Sequence, residues 1–245
     1  MSLLDTLAEP VDFPTPACKH CEVNREQAFC SGLNRDQLIR LASIRHQLRF
    51  EAHASVFDEG DQADNVYALT SGAVKLYKLL SDGRRQIVGF LFPGDIFGLA
   101  IDDRYAYSAE TLVSTTACRF PHRQLDNVRE NIPVIERRVF NLALKDLVRA
   151  HEQMLLLGRK SAREKLATFL TSLSRRAVER GHAASPVALP MSRSDIADFL
   201  GLTIETVSRT LTQLKKTGII ALPDTGQVTI RNSAALAELA EGGQA

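Results

Sequence analysis

The stretch M-S-R-S-D-I-A-D-F-L-G-L-T-I-E-T-V-S-R-T-L-T-Q-L-K-K-T-G, from Met191 to Gly218, admits few folds. Ile196, Ala197 and Leu200 make one apolar face of a short helix over Ser194–Leu200. Gly201 can take a left-handed turn that other residues resist, and small Ala197 lets two helices cross closely. Thr203 is a good N-cap for a second helix. In that helix Val207, Leu211 and Leu214 form the buried stripe, while Glu205, Ser208 and Arg209 share another face near its start.

Two helices crossing at a tight turn, with polar groups at the start of the second, is the arrangement that enters a DNA major groove. Arg209 can make two hydrogen bonds to guanine O6 and N7, Glu205 can accept from cytosine N4, and Ser208 can bond or pack beside them. Thr203 and Thr206 belong to the same DNA-facing set. Ser192, Arg193, Lys215 and Lys216 are placed for phosphates, which position a protein without reading sequence. Leu222 to Ile230 reads as a hairpin with its turn at Asp224–Gly226, the wing of a winged helix-turn-helix. Charge agrees: residues 159–220 carry 11 Lys/Arg against 5 Asp/Glu, while the remainder of the chain is net acidic.

Upstream, glycines at 60, 72, 83 and 94 recur about every 11 residues between the strand-like runs Val66–Leu69, Val74–Leu80 and Gln86–Phe92. Asp82-Gly83 is a favoured pair for a type I′ hairpin turn. The spacing predicts a small antiparallel barrel or sandwich. The longest apolar run, Ile87–Phe92, is strand-sized and stops at Pro93, well short of the roughly 18 residues of a membrane span. The first ten residues hold two acids and no Lys or Arg, unlike a secretory signal, so a cytoplasmic location is expected.

Pro133 opens a long helical pattern with Ile135, Val139, Ala143, Leu147, Ala150, Met154 and Leu157 in steps of three and four. Such a seam resembles a coiled coil and predicts a dimerisation helix; packing against the chain's own barrel is the alternative. The expected architecture is α+β in four parts. An N-terminal cysteine-bearing loop spans 1–31, a β-roll 32–131, a dimerisation helix 132–158 and a winged helix-turn-helix 159–245.

Three of the four cysteines, Cys18, Cys21 and Cys30, crowd a polar N-terminal segment, and Cys118 follows much later in T-T-A-C-R-F-P. In a reducing compartment, clustered thiols are more often metal ligands or redox centres than structural disulfides. Four thiolates suit a [4Fe–4S] cluster. Zinc accepts the same four, or three with His20, and a thiol switch needs only two. Enzyme chemistry has little support: there is no Gly-rich phosphate loop, H-E-x-x-H or G-x-S-x-G, and the six histidines are scattered.

The order of parts resembles the cyclic-AMP receptor protein (CRP) superfamily of bacterial transcription regulators. Within it, I-E-T-V-S-R is similar to the recognition-helix signature E-x-x-S-R of the fumarate/nitrate reductase regulator (FNR) branch, matched by Glu205, Ser208 and Arg209. The resemblance implies a cyclic-nucleotide-binding-like β-roll (a jelly-roll barrel) and a homodimer on dyad-symmetric TTGAT-type half-sites. It also implies a mainly activating role through RNA polymerase, with the hairpin around Ser81–Arg85 as a contact. That branch holds its cluster on three N-terminal cysteines and one distant one, implying Cys18, Cys21, Cys30 and Cys118 as ligands and oxygen as the signal. The second gap here is C-x8-C, longer than the x5 of the best-known members. Lys19, His20 and Glu22 beside the ligands are expected to tune the cluster's surroundings.

A cyclic nucleotide fits less well. In P-G-D-I-F-G-L-A-I-D-D-R-Y-A-Y-S-A-E, Leu99 follows Gly98 where a ribose-binding glutamate is expected, and Tyr105 follows Arg104 in place of serine. Asp102 and Asp103 would repel a phosphate.

Overall fold

The structure, a computed structural model of the chain, describes residues 21, 23, 28–100, 103–224 and 226–243. Cys18, Lys19, His20, Glu22, Asp102 and Thr225 therefore lie outside the described residues.

A short helix, α1 (Arg35–Ser43), begins at a reciprocal capping box in which Asn34 and Gln37 each accept the other's backbone N–H. Eight strands follow: β1 (His46–Phe50), β2 (Ser55–Phe57), β3 (Asn65–Ser71), β4 (Val74–Leu79), β5 (Arg85–Leu91), β6 (Ile96–Phe97), β7 (Ser108–Thr111) and β8 (Thr115–Pro121). They form two four-stranded antiparallel sheets, ordered β1-β8-β3-β6 and β2-β7-β4-β5, the jelly-roll arrangement anticipated above. The β4–β5 connection is not a type I′ turn. Only Gly83 has positive φ, and its N–H closes on Leu80 O at 2.9 Å. The loop is therefore longer than two residues, with the left-handed position taken by the one residue that has no Cβ.

The barrel interior is filled by aromatic rings. Phe57 stacks on Tyr105 at 3.7 Å between centroids, and Tyr67 on Phe97 at 5.2 Å. Tyr105 donates its hydroxyl to Asn65 O at 2.8 Å, and burial pushes the phenols of Tyr67 and Tyr105 up from their usual range.

Two helices succeed the barrel, α2 (His122–Asn131) and α3 (Pro133–Arg159). The residue before a proline avoids helical geometry, so Ile132 at φ −130°, ψ 88° ends α2, and Pro133 starts α3 at a position needing no N–H partner. The 27-residue α3 has two apolar faces. At roughly 100° per residue, Ile135, Val139, Leu142 and Leu156 lie on one side, and Phe140, Leu144, Leu147 and Met154 lie roughly opposite. Ile135 and Val139 are buried against α1, α2 and β8, so they are not seam residues: the alternative of packing on the chain's own barrel holds for this end of the helix. Leu157 packs into the core of the C-terminal domain and also leaves the seam. Ala143 and Ala150 stay exposed, as do Leu147 and Met154, but the exposed stripe is centred on Phe140, Leu147 and Met154, spaced seven apart. The seven-residue seam drawn from the sequence ran between the two faces because both supply apolar residues at similar intervals.

The C-terminal domain consists of α4 (Ala162–Glu179), β9 (Val187–Ala188), α5 (Arg193–Leu200), α6 (Ile204–Lys216), β10 (Ile220–Asp224), β11 (Gln227–Ile230) and α7 (Ser233–Ala240), its strands ordered β10-β11-β9. It shares one core with the outer face of β5: Phe199 lies 5.1 Å from Phe90 and 5.6 Å from Phe169, ring to ring. Among the described residues no helix is long and apolar enough to cross a membrane.

Candidate nucleic-acid interface and cysteine site

Helix α5 starts at Ser192, whose hydroxyl accepts from Asp195 N at 3.0 Å and donates to Asp195 Oδ2 at 2.6 Å. It stops at Gly201, φ 60°, whose N–H returns to Ala197 O. A Cβ there would stand 3.3 Å from Leu157 Cδ2, so glycine serves both the left-handed turn and the approach of α3. Thr203 caps α6, accepting from Thr206 N at 3.2 Å. Val207, Thr210, Leu211 and Leu214 are buried, fixing the rotation of α6.

That rotation leaves Glu205, Ser208 and Arg209 exposed on one face, as the spacing predicts. Its own backbone amide and the Thr203 hydroxyl hold the Glu205 carboxyl below the usual range, so it remains an acceptor. Lys215 and Lys216 project from the last turn of α6. The two remaining phosphate candidates are differently placed. The Ser192 hydroxyl is engaged in its cap, and Arg193 is half-buried, with Nη1 lacking a partner among the described residues. Burial lowers the Arg193 pKa. The wing pairs β10 with β11, and Gly226 N donates to Asp224 Oδ1 at 2.8 Å in its turn.

An ionic junction that sequence reasoning missed ties α5 to the barrel. Lys75 Nζ on β4 lies 3.1 Å from Asp195 Oδ1 and 2.8 Å from Glu110 Oε1. Arg85 Nη2 on β5 reaches Asp195 at 2.9 Å and Asp198 at 2.8 Å, and Gln86 donates to Asp198 O at 2.7 Å. Arg85, placed above in a partner-contacting hairpin, is thus turned toward α5, while Leu79 and Leu80 remain exposed at that hairpin. The available signal was two aspartates on one helix of an otherwise basic domain.

The cysteines divide. Cys30 and Cys118, far apart in sequence, both pack against the cluster formed by Phe29, Leu41, Phe120 and Ile135. Arg45 Nη1 lies 3.9 Å from Cys118 Sγ. Arg138 donates to Ala28 O at 3.2 Å, and the Cys30 thiol partly offsets the lowering that burial imposes on its guanidinium. Cys21 is exposed. Among the described residues no three His, Cys, Asp or Glu side chains stand together as a metal site. The donor chemistry nevertheless fits a thiolate-held anionic cluster: Cys30 and Cys118 each lie beside a guanidinium group and pack on a shared apolar wall.

The cassette expected to hold a cyclic nucleotide is committed to the protein itself. Arg104 Nη1 donates to Gly60 O, and buried Ser108 accepts from Glu59 N at 2.9 Å.

Residues 47–131 match the cyclic nucleotide-binding domain family, and residues 164–239 match the Crp-like helix-turn-helix domain. The nitrogen fixation regulation protein FixK of Bradyrhizobium diazoefficiens is 42% identical over 84% of this chain and 86% of its own. The transcriptional activator protein FnrL of Cereibacter sphaeroides is 35% identical over 90% of each. The structure of FixK2 from Bradyrhizobium japonicum superposes with a TM-score of 0.76, at 38% identity over 82% of this chain and 98% of that one.

Proposed function

Because this chain belongs to the CRP/FNR family of DNA-binding transcription regulators, we propose that it is an oxygen- or redox-responsive regulator, mainly an activator, working as a homodimer. In this reading Cys18, Cys21, Cys30 and Cys118 hold a [4Fe–4S] cluster, and Glu205, Ser208 and Arg209 read TTGAT-type half-sites. The observation that supports it is the packing of Cys30 and Cys118 against the one apolar wall that also seats Ile135 and Val139 of α3. An iron–sulfur cluster supplies an oxygen-labile tether between the segments that carry its ligands.

The chain's own residues connect that site to DNA. Arg138 grips the N-terminal segment at Ala28 O, and Phe140, two residues on, opens the exposed stripe of α3. Shifting the cysteine segment therefore shifts the helix that meets the second copy. Two copies of α6 then lie at the spacing of two half-sites, about one helical turn apart. Anything that favours the dimer raises DNA occupancy by mass action, without a catalytic step. The aromatic filling of the barrel and the commitments of Arg104 and Ser108 support an input other than a cyclic nucleotide. RNA polymerase remains the proposed partner of the β4–β5 hairpin, through its exposed Leu79 and Leu80.

The test is iron and acid-labile sulfide on protein purified without oxygen, with spectra before and after air. About four of each per chain, bleaching in air, is the expected result. Zinc, or no metal and an air-indifferent spectrum, overturns the cluster and leaves the DNA-binding reading standing.

A further inference from the structure

Outside the barrel interior lies a cleft walled by three separate elements: the Pro93–Asp95 turn before β6, the middle of α3 and the end of α4. The space between them, open solvent at the mouth included, is about 460 Å³. Arg138, Lys145, Arg149, Arg176 and Arg180 line it, against the acids Asp95 and Glu179. Asp146, paired with Arg149 at 2.9 Å, is a third acid nearby, which leaves an excess of two positive charges among the described residues.

The acids do not reach all the cations. Asp95 Oδ1 meets Arg149 at 3.3 Å, and its Oδ2 serves both Arg176 and the Phe92 N–H. Arg180 instead lies 4.6 Å over the Phe92 ring, beside Arg176 over the same ring at 4.8 Å. No ion pair holds Arg180 or Lys145 among the described residues. Burial, and then repulsion from Arg176, push the Arg180 pKa down to about 10. Like charges held together in a part-buried cleft are relieved by an anion, and guanidinium forks suit phosphate oxygens.

We propose that this cleft binds a small phosphate-bearing anion, contacted chiefly by Arg180 and Lys145. Its walls belong to the barrel, the long helix and the first helix of the C-terminal domain, so a bound anion bridges all three. The apolar stripe of α3 faces the other way, and dimerisation leaves the cleft open.

Pyrophosphate titrated calorimetrically into the full-length protein, with ionic strength held constant by sodium chloride, tests this. Saturable binding is expected, weakened about tenfold or more in Lys145→Gln and in Arg180→Gln. Arg209→Gln, on the DNA-facing helix, should bind as the parent does. Absence of saturable binding, or parental affinity in Lys145→Gln or in Arg180→Gln, overturns the site. Loss in Arg209→Gln also overturns it, because the anion would then occupy the DNA surface.

Discussion

Lys75 Nζ stands 3.1 Å from Asp195 Oδ1, joining a barrel strand to the first helix of the DNA-binding pair, with both side chains nearly buried. Removing one member of a buried ion pair strands the other, a cost of about 3–5 kcal/mol. Glu110 and Asp198 remain to Lys75 and Arg85, so Asp195→Ala is expected at the lower end, about 3 kcal/mol by urea denaturation. A loss of only about 0.5 kcal/mol, the size of a surface substitution, would mean that the packing of Phe90, Phe169 and Phe199, with the contacts left at Asp198, suffices to hold the junction.

Acid should weaken the same contact. Burial pushes the Asp195 carboxyl up, but Ser192 and Lys75 outweigh it and leave it below the usual carboxylate value. A depressed folded-state pKa contributes stability above the unfolded value of about 4, and that contribution is lost as pH falls through the folded value. Stability against pH should therefore fall below about pH 4, and Asp195→Asn should flatten that limb. An unchanged limb in the variant would assign acid sensitivity to other carboxylates.

These contacts mark the limit of what the sequence discloses. Gly201, Thr203 and the Val207/Leu211/Leu214 stripe were legible because turn, cap and periodicity are local, and the structure keeps all three. The barrel was legible from glycine spacing for the same reason. The Asp195 junction was not, since its partners come from strands more than 100 residues away. The seam was misdrawn because periodicity shows that α3 has apolar faces but not which one meets its own barrel. Helices α1 and α2 were missed, being short and overshadowed by the strand pattern beside them.

At the DNA, Arg209→Ala removes the fork proposed to meet guanine. Affinity for a cognate site should fall by about 1–3 kcal/mol, with base preference flattened at one position. Fluorescence anisotropy on a panel of half-site variants checks this, and unchanged discrimination would move base reading away from Arg209.

The two faces of α3 should separate two phenotypes. Phe140 and Met154 are 60% and 62% exposed, and Ile135 is 0% exposed. Met154→Glu or Phe140→Glu should yield a folded monomer by sedimentation. Ile135→Ala should cost about 2–5 kcal/mol of stability through the cavity it leaves. A dimer that survives both glutamates would put the interface on another element.

The opposition of those faces also restricts how the gene for such a protein can change length. One residue inserted in the middle of α3 turns everything beyond it by roughly 100°. Met154 would then swing off the stripe begun by Phe140, and Leu156 off the wall that seats it. Only insertions or deletions of about seven residues, two turns, restore both alignments together. Divergent relatives should therefore vary freely in their loops while this helix keeps its length or changes it by whole heptads.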